Sequence, residues 1–410
     1  MSKEKKNIPE LRFPEFEGDG EWEEKTLGEL LEFKNGINAS KGQYGKGIKF
    51  INVLDILKEE HITYDNIIGK VDVDNSILQK NAVIYGDLLF QRSSETQEEV
   101  GTANVYLDKE KTATFGGFVI RGKKIGDYDP IFLNALLKTS EIRRSISSKA
   151  GGSTRFNVGQ ETLSSTIILL PSLTEQQKIA ACLSSLDRLI AAHRDKLEAL
   201  NDHKKGLMQN LFPQEGEKAP KYRFPEFEGN WQVRKLSKCI QLISGLHLSP
   251  DDYGITGETP YFTGPSDFTN KESDIKKWTK KSSNTAEAND TLITVKGSGV
   301  GELWYLTVPC VAIGRQLMAV RANGCSSPFL YHFLGTKRSR FEDLASGNLI
   351  PGLSRNDILD LEMPIPSLAE QQKIAACLSA LDLLITAKAE KIEQLQQHKK
   401  GLMQGLFPKV

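Results

Sequence analysis

The chain has 410 residues, and its 53 lysines and arginines are balanced by 53 aspartates and glutamates. This length allows two domains with ordinary cores, and the zero net charge excludes a uniformly basic chain. The N-terminus lacks an apolar signal segment, no run approaches the ~18 apolar residues of a membrane span, and the five cysteines lack zinc-ligand spacing. We expect a cytoplasmic protein with reduced thiols and no membrane contact.

The first predicted elements lie in the N-terminal half. It opens with RFPEFEG at residues 12–18, followed by Trp22. A polar turn at residues 86–87 precedes an apolar run and predicts a strand. Residues 129–130 are Asp-Pro, an N-cap residue followed by the proline that starts many helices. The half ends on a long helix, predicted from Thr174 with a Thr-x-x-Gln capping box.

The C-terminal half repeats this order. RFPEFEG returns at residues 223–229 before Trp231, and the strand and helix starts return at residues 289–290 and 327–328. The helix region from Pro171 to Pro213 recurs 195 residues later, with 31 of 43 positions identical. Preserved ends and different middles indicate one scaffold that presents two specificities. The predicted boundaries are 1–170 for a first domain, 171–213 for a first spacer helix, 214–365 for a second domain and 366–410 for a second spacer helix.

Both long helices carry the heptad pattern of a coiled coil, with spacings that alternate between four and three. Each would be roughly 55 Å long at about 1.5 Å per residue, which suits a spacer. We expect the seams to face each other in an antiparallel pair that relates the halves by a pseudo-twofold axis; the alternative is a helix buried in one globular core. The polar seam positions are His193, Lys204, Lys388 and Lys399, and the apolar ones are Ile179, Leu183, Leu186, Ile190, Leu197, Leu200, Ile374, Leu378, Leu381, Ile385, Ile392 and Leu395.

The chain resembles the specificity subunit of a type I restriction-modification system over nearly its whole length. The strongest motifs are the two EQQKIA…HKKGLMQxLFP helices at residues 175–213 and 370–408. Trp22, Trp231 and the GSGVG run at residues 297–301 are also typical of that family. The resemblance implies an α/β (α+β) fold with two target-recognition domains, each built on a curved mixed sheet. Two long antiparallel conserved helices would separate them.

The resemblance also implies a function and partners. Such a chain reads a bipartite, asymmetric target in double-stranded DNA, one half per domain, and has no catalysis of its own. It would bind two methyltransferase subunits, which act on adenine N6, and two motor-nuclease subunits. No cofactor is expected in this chain, whereas S-adenosylmethionine, ATP and magnesium are expected on those partners.

Candidate DNA contacts are loop residues that can hydrogen-bond base edges or hold phosphates. Alignment through Gly116 and Gly314 places Arg315-Gln316 opposite Gly117-Phe118, a change from apolar to base-reading chemistry. The alternative for any single candidate is that it decorates a turn. The candidates are Asn38, Ser40, Lys41, Gln43, Gln91, Arg92, Ser93, Thr154, Arg155 and Asn157 in the first half, and His247, Ser249, Tyr261, Thr263, Lys296, Ser298, Arg315, Gln316, Asn348 and Arg355 in the second.

Catalytic motifs are missing from the sequence. There is no amino-methyltransferase [DNS]PP[YFW] loop and no GxxxxGK[ST] phosphate loop. A nuclease-like PD…DxK pattern can be assembled from Pro250-Asp251 and Asp274-Ile275-Lys276, whose carboxylates could hold magnesium. Three hypotheses remain: a non-catalytic DNA reader, a single-chain endonuclease, and a coiled-coil scaffold that never touches DNA. Salt-dependent DNA binding separates the first two from the third.

Overall fold

The structure is a computed structural model that describes residues 7–281, 283–297, 299–346 and 352–409. The chain forms two compact units, Met1–His193 with Lys391–Val410 and Arg194–Glu390, hereafter the first and second units. Each unit combines one sheet-rich domain with a segment of each long helix. The mixed α/β architecture with two sheet-rich domains and long helices, as predicted, is confirmed.

The first half contains eleven short strands and seven α-helices in the described part of the chain. The strands are β1 Glu23–Thr26, β2 Leu31–Asn35, β3 Tyr44–Ile51, β4 Lys70–Val71, β5 Leu88–Gln91, β6 Ser93–Ser94, β7 Ala103–Val105, β8 Thr114–Phe115, β9 Val119–Lys124, β10 Phe156–Asn157 and β11 Ile167–Leu170. The helices are α1 Leu27–Leu30, α2 Val53–Ile56, α3 Asn75–Lys80, α4 Pro130–Leu137, α5 Ser140–Ser147, α6 Gln160–Ser164 and α7 Leu173–Leu211.

A four-stranded antiparallel sheet of order β2-β9-β5-β7 is at the centre of this domain. A second sheet of order β4-β3-β8 includes one parallel pair, β3 with β8. Successive side chains of a strand point to opposite sides of the sheet. Both sides of β5 are covered, so all of its side chains are buried. Leu88 and Phe90 pack in one core with Phe132 of α4, while Leu89 packs in another with Ile51.

The second half repeats this plan with different loops. Its strands are β12 Gln232–Lys235, β13 Ile240–Ser244, β14 Tyr253–Gly254, β15 Thr259–Phe262, β16 Trp278–Thr279, β17 Thr285–Glu287, β18 Thr291–Thr294, β19 Leu303–Tyr305, β20 Cys310–Ile313, β21 Leu317–Ala322 and β22 Glu362–Ile365. Its helices are α8 Ser327–Thr336, α9 Arg338–Ser346, α10 Arg355–Leu359 and α11 Leu368–Leu406. The sheet order β13-β21-β18-β19 and the parallel pair β15 with β20 match the first domain.

The predicted strand entries are present in both domains, at β5 and β18. Each follows a residue with positive φ, Gly86 at 91° and Asn289 at 75°. Glycine and asparagine tolerate that backbone region best, which explains why the polar turn takes these two residues. The strand that follows can then turn its apolar side chains into the core.

Two predicted helix starts need correction, whereas the one at Asp129 is present. The Asp129 carboxylate accepts hydrogen bonds from the first-turn amides of Ile131 and Phe132. Helix α8 includes Ser327, and the residue before it, Ser326, is the N-cap. Helix α7 begins at Leu173 and not at Thr174, because the Ser172 hydroxyl accepts from the amide of Glu175, 3.3 Å away, and caps the first turn instead.

The long helices α7 and α11 run antiparallel within each unit. In the first unit Ile179 and Leu183 share a core with Leu402 and Leu406, and Lys399 forms an ion pair with Asp187. In the second unit the same contacts recur with the helices exchanged, since Ile374 and Leu378 pack with Leu207 and Leu211. All the predicted seam positions of both helices are buried or half-buried.

Arginine–glutamate pairs fasten the RFPEFEG motifs to the helix starts. The Arg12 guanidinium donates to both oxygens of Glu175 at 2.8 and 2.7 Å, and Arg223 donates to Glu370 at 2.7 and 2.8 Å. Both glutamates are 1% exposed, and these hydrogen bonds raise the pKa of Arg12 and of Arg223. The repeated motif is therefore a structural anchor of each domain on its own long helix.

Candidate nucleic-acid interface

In the first domain, four segments that are distant in sequence meet at one surface. The Arg92 guanidinium donates to the carbonyl of Gly117 at 3.3 Å, and the Arg92 amide donates to the carbonyl of Phe118 at 2.9 Å. Asn38 packs so closely on Gly117 that a side chain there would overlap its Oδ1. One residue further on, Ser93 donates to Asn157, because strands β6 and β10 pair these two residues. The loops after β2, β5, β8 and α5 thus contribute to one surface, which we call loop cluster 1.

The second domain builds the same cluster from different residues. The Gly245 and Leu246 amides bond to Leu317 and Ile313, as the Gly36 and Ile37 amides bond to Val119 and Phe115. This register makes His247 the counterpart of Asn38 and confirms the alignment of Arg315-Gln316 with Gly117-Phe118. The Val295 amide donates to the Gln316 carbonyl at 2.7 Å, which makes Lys296 the counterpart of Ser93. We call this surface loop cluster 2.

In both domains a capped 3-10 turn and a tyrosine ring pair follow the first loop of the cluster. Ser40 and Gln43 cap the turn Lys41–Gln43, and Ser249 and Asp252 cap the turn Pro250–Asp252. The tyrosine that follows each turn then packs against a second aromatic ring, edge-on in the first domain and tilted in the second. The ring pairs are Tyr44 with Phe50, at 5.7 Å, and Tyr253 with Tyr261, at 5.1 Å.

Most candidate contact residues are at the surface of the two clusters. Arg315 and Gln316 are exposed at the tip of the turn before β21. His247, in the loop after β13, is exposed as well. Ser298 and Asn348 lie outside the described residues. The other exposed candidates are Asn38, Ser40, Lys41, Thr154, Arg155, Asn157, Ser249, Lys296 and Arg355.

Several candidates use their polar groups in hydrogen bonds to other residues of the same domain. Gln91 and Tyr261 are 4% and 3% exposed, and the Tyr261 hydroxyl donates to the carbonyl of Leu246 over 3.4 Å. Gln43 donates its amide to the Asp72 carbonyl at 2.9 Å. The guanidinium of Arg355 donates to Ser244 and Leu242 at 2.7 and 2.9 Å. These side chains hold loops in place, and Arg355 does so while remaining at the surface.

Sequence reasoning missed the partners that hold Thr263. Its hydroxyl and amide both donate to Asp267, at 2.6 and 2.8 Å, and the Lys277 ammonium bridges both side chains. Burial alone would raise the pKa of Asp267, but the hydrogen bonds from Thr263 and Lys277 leave it below its usual value. No spacing in the sequence links position 263 to position 277, because the contact depends on how β15 and β16 pair.

The two carboxylates of the nuclease-like pattern lie in different elements. Asp251 and Asp274 lie in separate one-turn helices, Pro250–Asp252 and Glu272–Asp274. No group of three or more His, Cys, Asp or Glu side chains that could hold a metal ion occurs in the described part of the chain.

None of the helices among the described residues is long and apolar enough to cross a bilayer.

Two domains of one plan, with equivalent surface loops of different chemistry, define a duplicated recognition protein. The sequence matches the type I restriction modification DNA specificity domain over residues 19–202 and 228–397. The chain therefore belongs to the family of type I restriction-modification DNA specificity subunits. Such subunits recognise DNA and are not catalytic, so the prediction of a non-enzymatic reader is confirmed.

Relatives and solved structures cover almost the whole chain. The MjaX type I restriction enzyme specificity subunit of Methanocaldococcus jannaschii is 28% identical over 94% of this chain and 93% of its own length. The crystal structure of a type I S subunit from M. genitalium has a TM-score of 0.66 at 18% identity, covering 98% of this chain and all (100%) of its own. A structure from a study of type I complex assembly has a TM-score of 0.57 at 20% identity, covering 95% of this chain and 98% of its own.

Proposed function

We propose that this specificity subunit reads a bipartite, asymmetric DNA target, with one half-site for loop cluster 1 and one for loop cluster 2. The observation that carries the proposal is the equivalence of Gly117-Phe118 and Arg315-Gln316 at the same turn. A glutamine can make a paired hydrogen bond to adenine, and an arginine can do so to guanine, whereas glycine and phenylalanine cannot. Two scaffolds of one plan with unlike tips suit two unlike half-sites.

The long helices are proposed to bind the partners. The subunit would assemble with two methyltransferase and two motor-nuclease subunits, which would carry S-adenosylmethionine, ATP and magnesium. Exposed leucines support a docking role for these helices, since Leu383 and Leu384 are 73% and 53% exposed. Large apolar side chains in water are common at interaction surfaces. The chain itself would position the methyltransferases over their adenines.

The test is the methylome of the source strain with and without this gene, measured by single-molecule sequencing. The proposal expects one split N6-methyladenine motif with a fixed gap to disappear on deletion and to return on complementation. A complementing gene with Arg315→Ala and Gln316→Ala should restore methylation with altered or relaxed bases in one half of that motif alone. An unchanged methylome, while the methyltransferase partner is expressed, would contradict the proposal.

A further inference from the structure

Phe118 is an exposed aromatic side chain in the middle of loop cluster 1. It is 62% exposed, although the strand that follows it, β9, begins with the buried residues Val119 and Ile120. It stands on the tight turn between β8 and β9, which is closed by the Val119 amide donating to the Gly116 carbonyl at 2.9 Å. A large apolar side chain held in water on a short turn has no role in the core of its own domain.

The backbone under Phe118 is held from two sides. The Arg92 amide donates to the Phe118 carbonyl, and the Arg92 guanidinium donates to the Gly117 carbonyl. The Asn38 side chain packs closely against Gly117. Because these contacts are made to the backbone, they hold the Cα from which the ring projects and leave the ring exposed. A preorganised contact residue loses little conformational entropy on binding.

The residues near Phe118 carry polar groups of the kinds that contact nucleic acid. Asn38, Arg155 and Asn157 are exposed, and the half-buried Ser93 pairs with Asn157. Phe118 is also the structural counterpart of Gln316, an exposed residue with base-reading chemistry. In the major groove, the apolar group that distinguishes one base from the others is the 5-methyl group of thymine.

We propose that Phe118 is a specificity-determining residue that contacts a thymine 5-methyl group in the half-site of loop cluster 1. The inference rests on the proposed function and deepens it. At this one turn, the first domain reads a methyl group by apolar contact, while the second domain reads a base edge through the Gln316 amide. The contact should be largest for a ring that packs flat against the methyl group and smaller for a leucine.

The test replaces each thymine of this half-site by uracil, which lacks only the methyl group. Every A·T pair holds a thymine, so an adenine-methylated half-site always offers at least one. The full chain, assembled with its methyltransferase, is titrated onto the duplexes that the methylome defines. For one thymine we expect uracil to weaken binding about 3- to 5-fold, the effect of losing one buried methyl group. With Phe118→Ala that ratio should fall to about one, with Phe118→Leu lying between.

Ile125→Ala is the matched control. Ile125 is 57% exposed just beyond the other end of β9, about 23 Å along the strand from position 118. Its variant should keep the wild-type ratio of thymine to uracil binding. Each variant is first compared with the wild type for thermal unfolding and for assembly with the methyltransferase.

The outcomes separate this inference from the function beneath it. If the wild-type complex shows no preference for the methylome-derived duplex over a scrambled one, the proposed function fails. If it is selective but no uracil weakens binding, or if Phe118→Ala keeps the wild-type ratio, the thymine contact is overturned and the reader function stands. A loss of affinity with Phe118→Ala that is equal for thymine and uracil would indicate a ring that wedges between bases, and would also overturn the proposal.

Discussion

His332 is a buried histidine that joins the second domain to its long helix. Its side chain is 1% exposed, and the Nε2 atom lies 3.0 Å from the Ser379 hydroxyl of α11. Burial, and then the nearby ammonium of Lys204, lower its pKa from 6.5 to about 3. In the first unit Trp22 packs on Phe132 as Trp231 packs on Phe329 in the second, so Ala135 is the counterpart of His332. An alanine cannot make the equivalent hydrogen bond.

The low pKa predicts that the second unit loses stability in mild acid. Between pH 6.5 and about 3 the unfolded chain binds a proton at position 332 that the folded chain does not. The contribution of His332 is therefore complete above pH 6.5 and declines as the pH falls below it. We expect urea unfolding to occur at lower denaturant concentration at pH 5.5 than at pH 7.5, and His332→Ala to remove part of that difference.

The substitution should also lower stability at neutral pH, by about 1–3 kcal/mol, because it leaves the Ser379 hydroxyl without its buried partner. The control is His203→Ala, at an exposed histidine of α7 in the same unit. That variant should keep the wild-type pH dependence. Equal pH dependence in the wild type and in His332→Ala would show that the buried histidine does not take part.

At the scale of elements, ion pairs at equivalent places join the long helices in both units. Lys204 contacts Asp382 in the second unit, and Lys399 contacts Asp187 in the first. The sequence predicted the two lysines as polar seam positions, because the heptad spacing passes through them. It did not predict their partners, since Asp187 and Asp382 lie next to the seam and meet a lysine only in one antiparallel register.

Exchanging the charges of one pair tests whether it helps to set that register. Lys204→Glu places two carboxylates together, and we expect it to cost roughly 1–2 kcal/mol in the second unit, because the pair is partly open to solvent. Asp382→Lys should cost a similar amount. The double variant, Lys204→Glu with Asp382→Lys, should recover most of the lost stability. Hydrogen exchange of the α11 amides at low ionic strength measures the stability of each variant.

Lys205→Glu is the control for this exchange, because Lys205 is the exposed neighbour in the same HKK motif. It should change stability by less than about 0.5 kcal/mol. If the double exchange were no more stable than the worse single variant, the pair would have no part in aligning the helices. High salt should reduce all of these differences.

At the scale of the whole chain, sequence repeats predicted the duplicated fold more fully than the recognition surface. Heptads, RFPEFEG motifs and turn residues are local patterns, so the helices, the strands β5 and β18 and the start of α4 follow from them. The loop clusters depend on contacts between distant residues, such as Arg92 with Gly117 and Thr263 with Lys277. The spacing between equivalent loops differs in the two halves, so the sequence alone could not align most of them. The alignment of Gly116 with Gly314 was the exception, and it placed Arg315-Gln316 correctly.

The repeated anchors predict that one recognition domain can replace the other. Arg12 with Glu175 and Arg223 with Glu370 fasten each domain in the same way, and each domain rests on equivalent seam residues. A chain in which residues 12–170 replace residues 223–365 should therefore fold, because each junction falls in a repeated motif. If each domain reads its own half-site, this chain should methylate a target that carries the half-site of the first domain twice.

The methylome of a deletion strain that expresses the exchanged chain checks this expectation. The first half-site should be kept, the second should vanish, and a motif with two copies of the first should take its place. The reciprocal chain, with residues 223–365 in place of residues 12–170, is the matched control and should show only the second half-site. A chain that folds and assembles with the methyltransferase but still modifies the original asymmetric motif would show that recognition is not divided between the domains. Retention of the original motif would also require residues shared by both chains, in the long helices, to contact the bases.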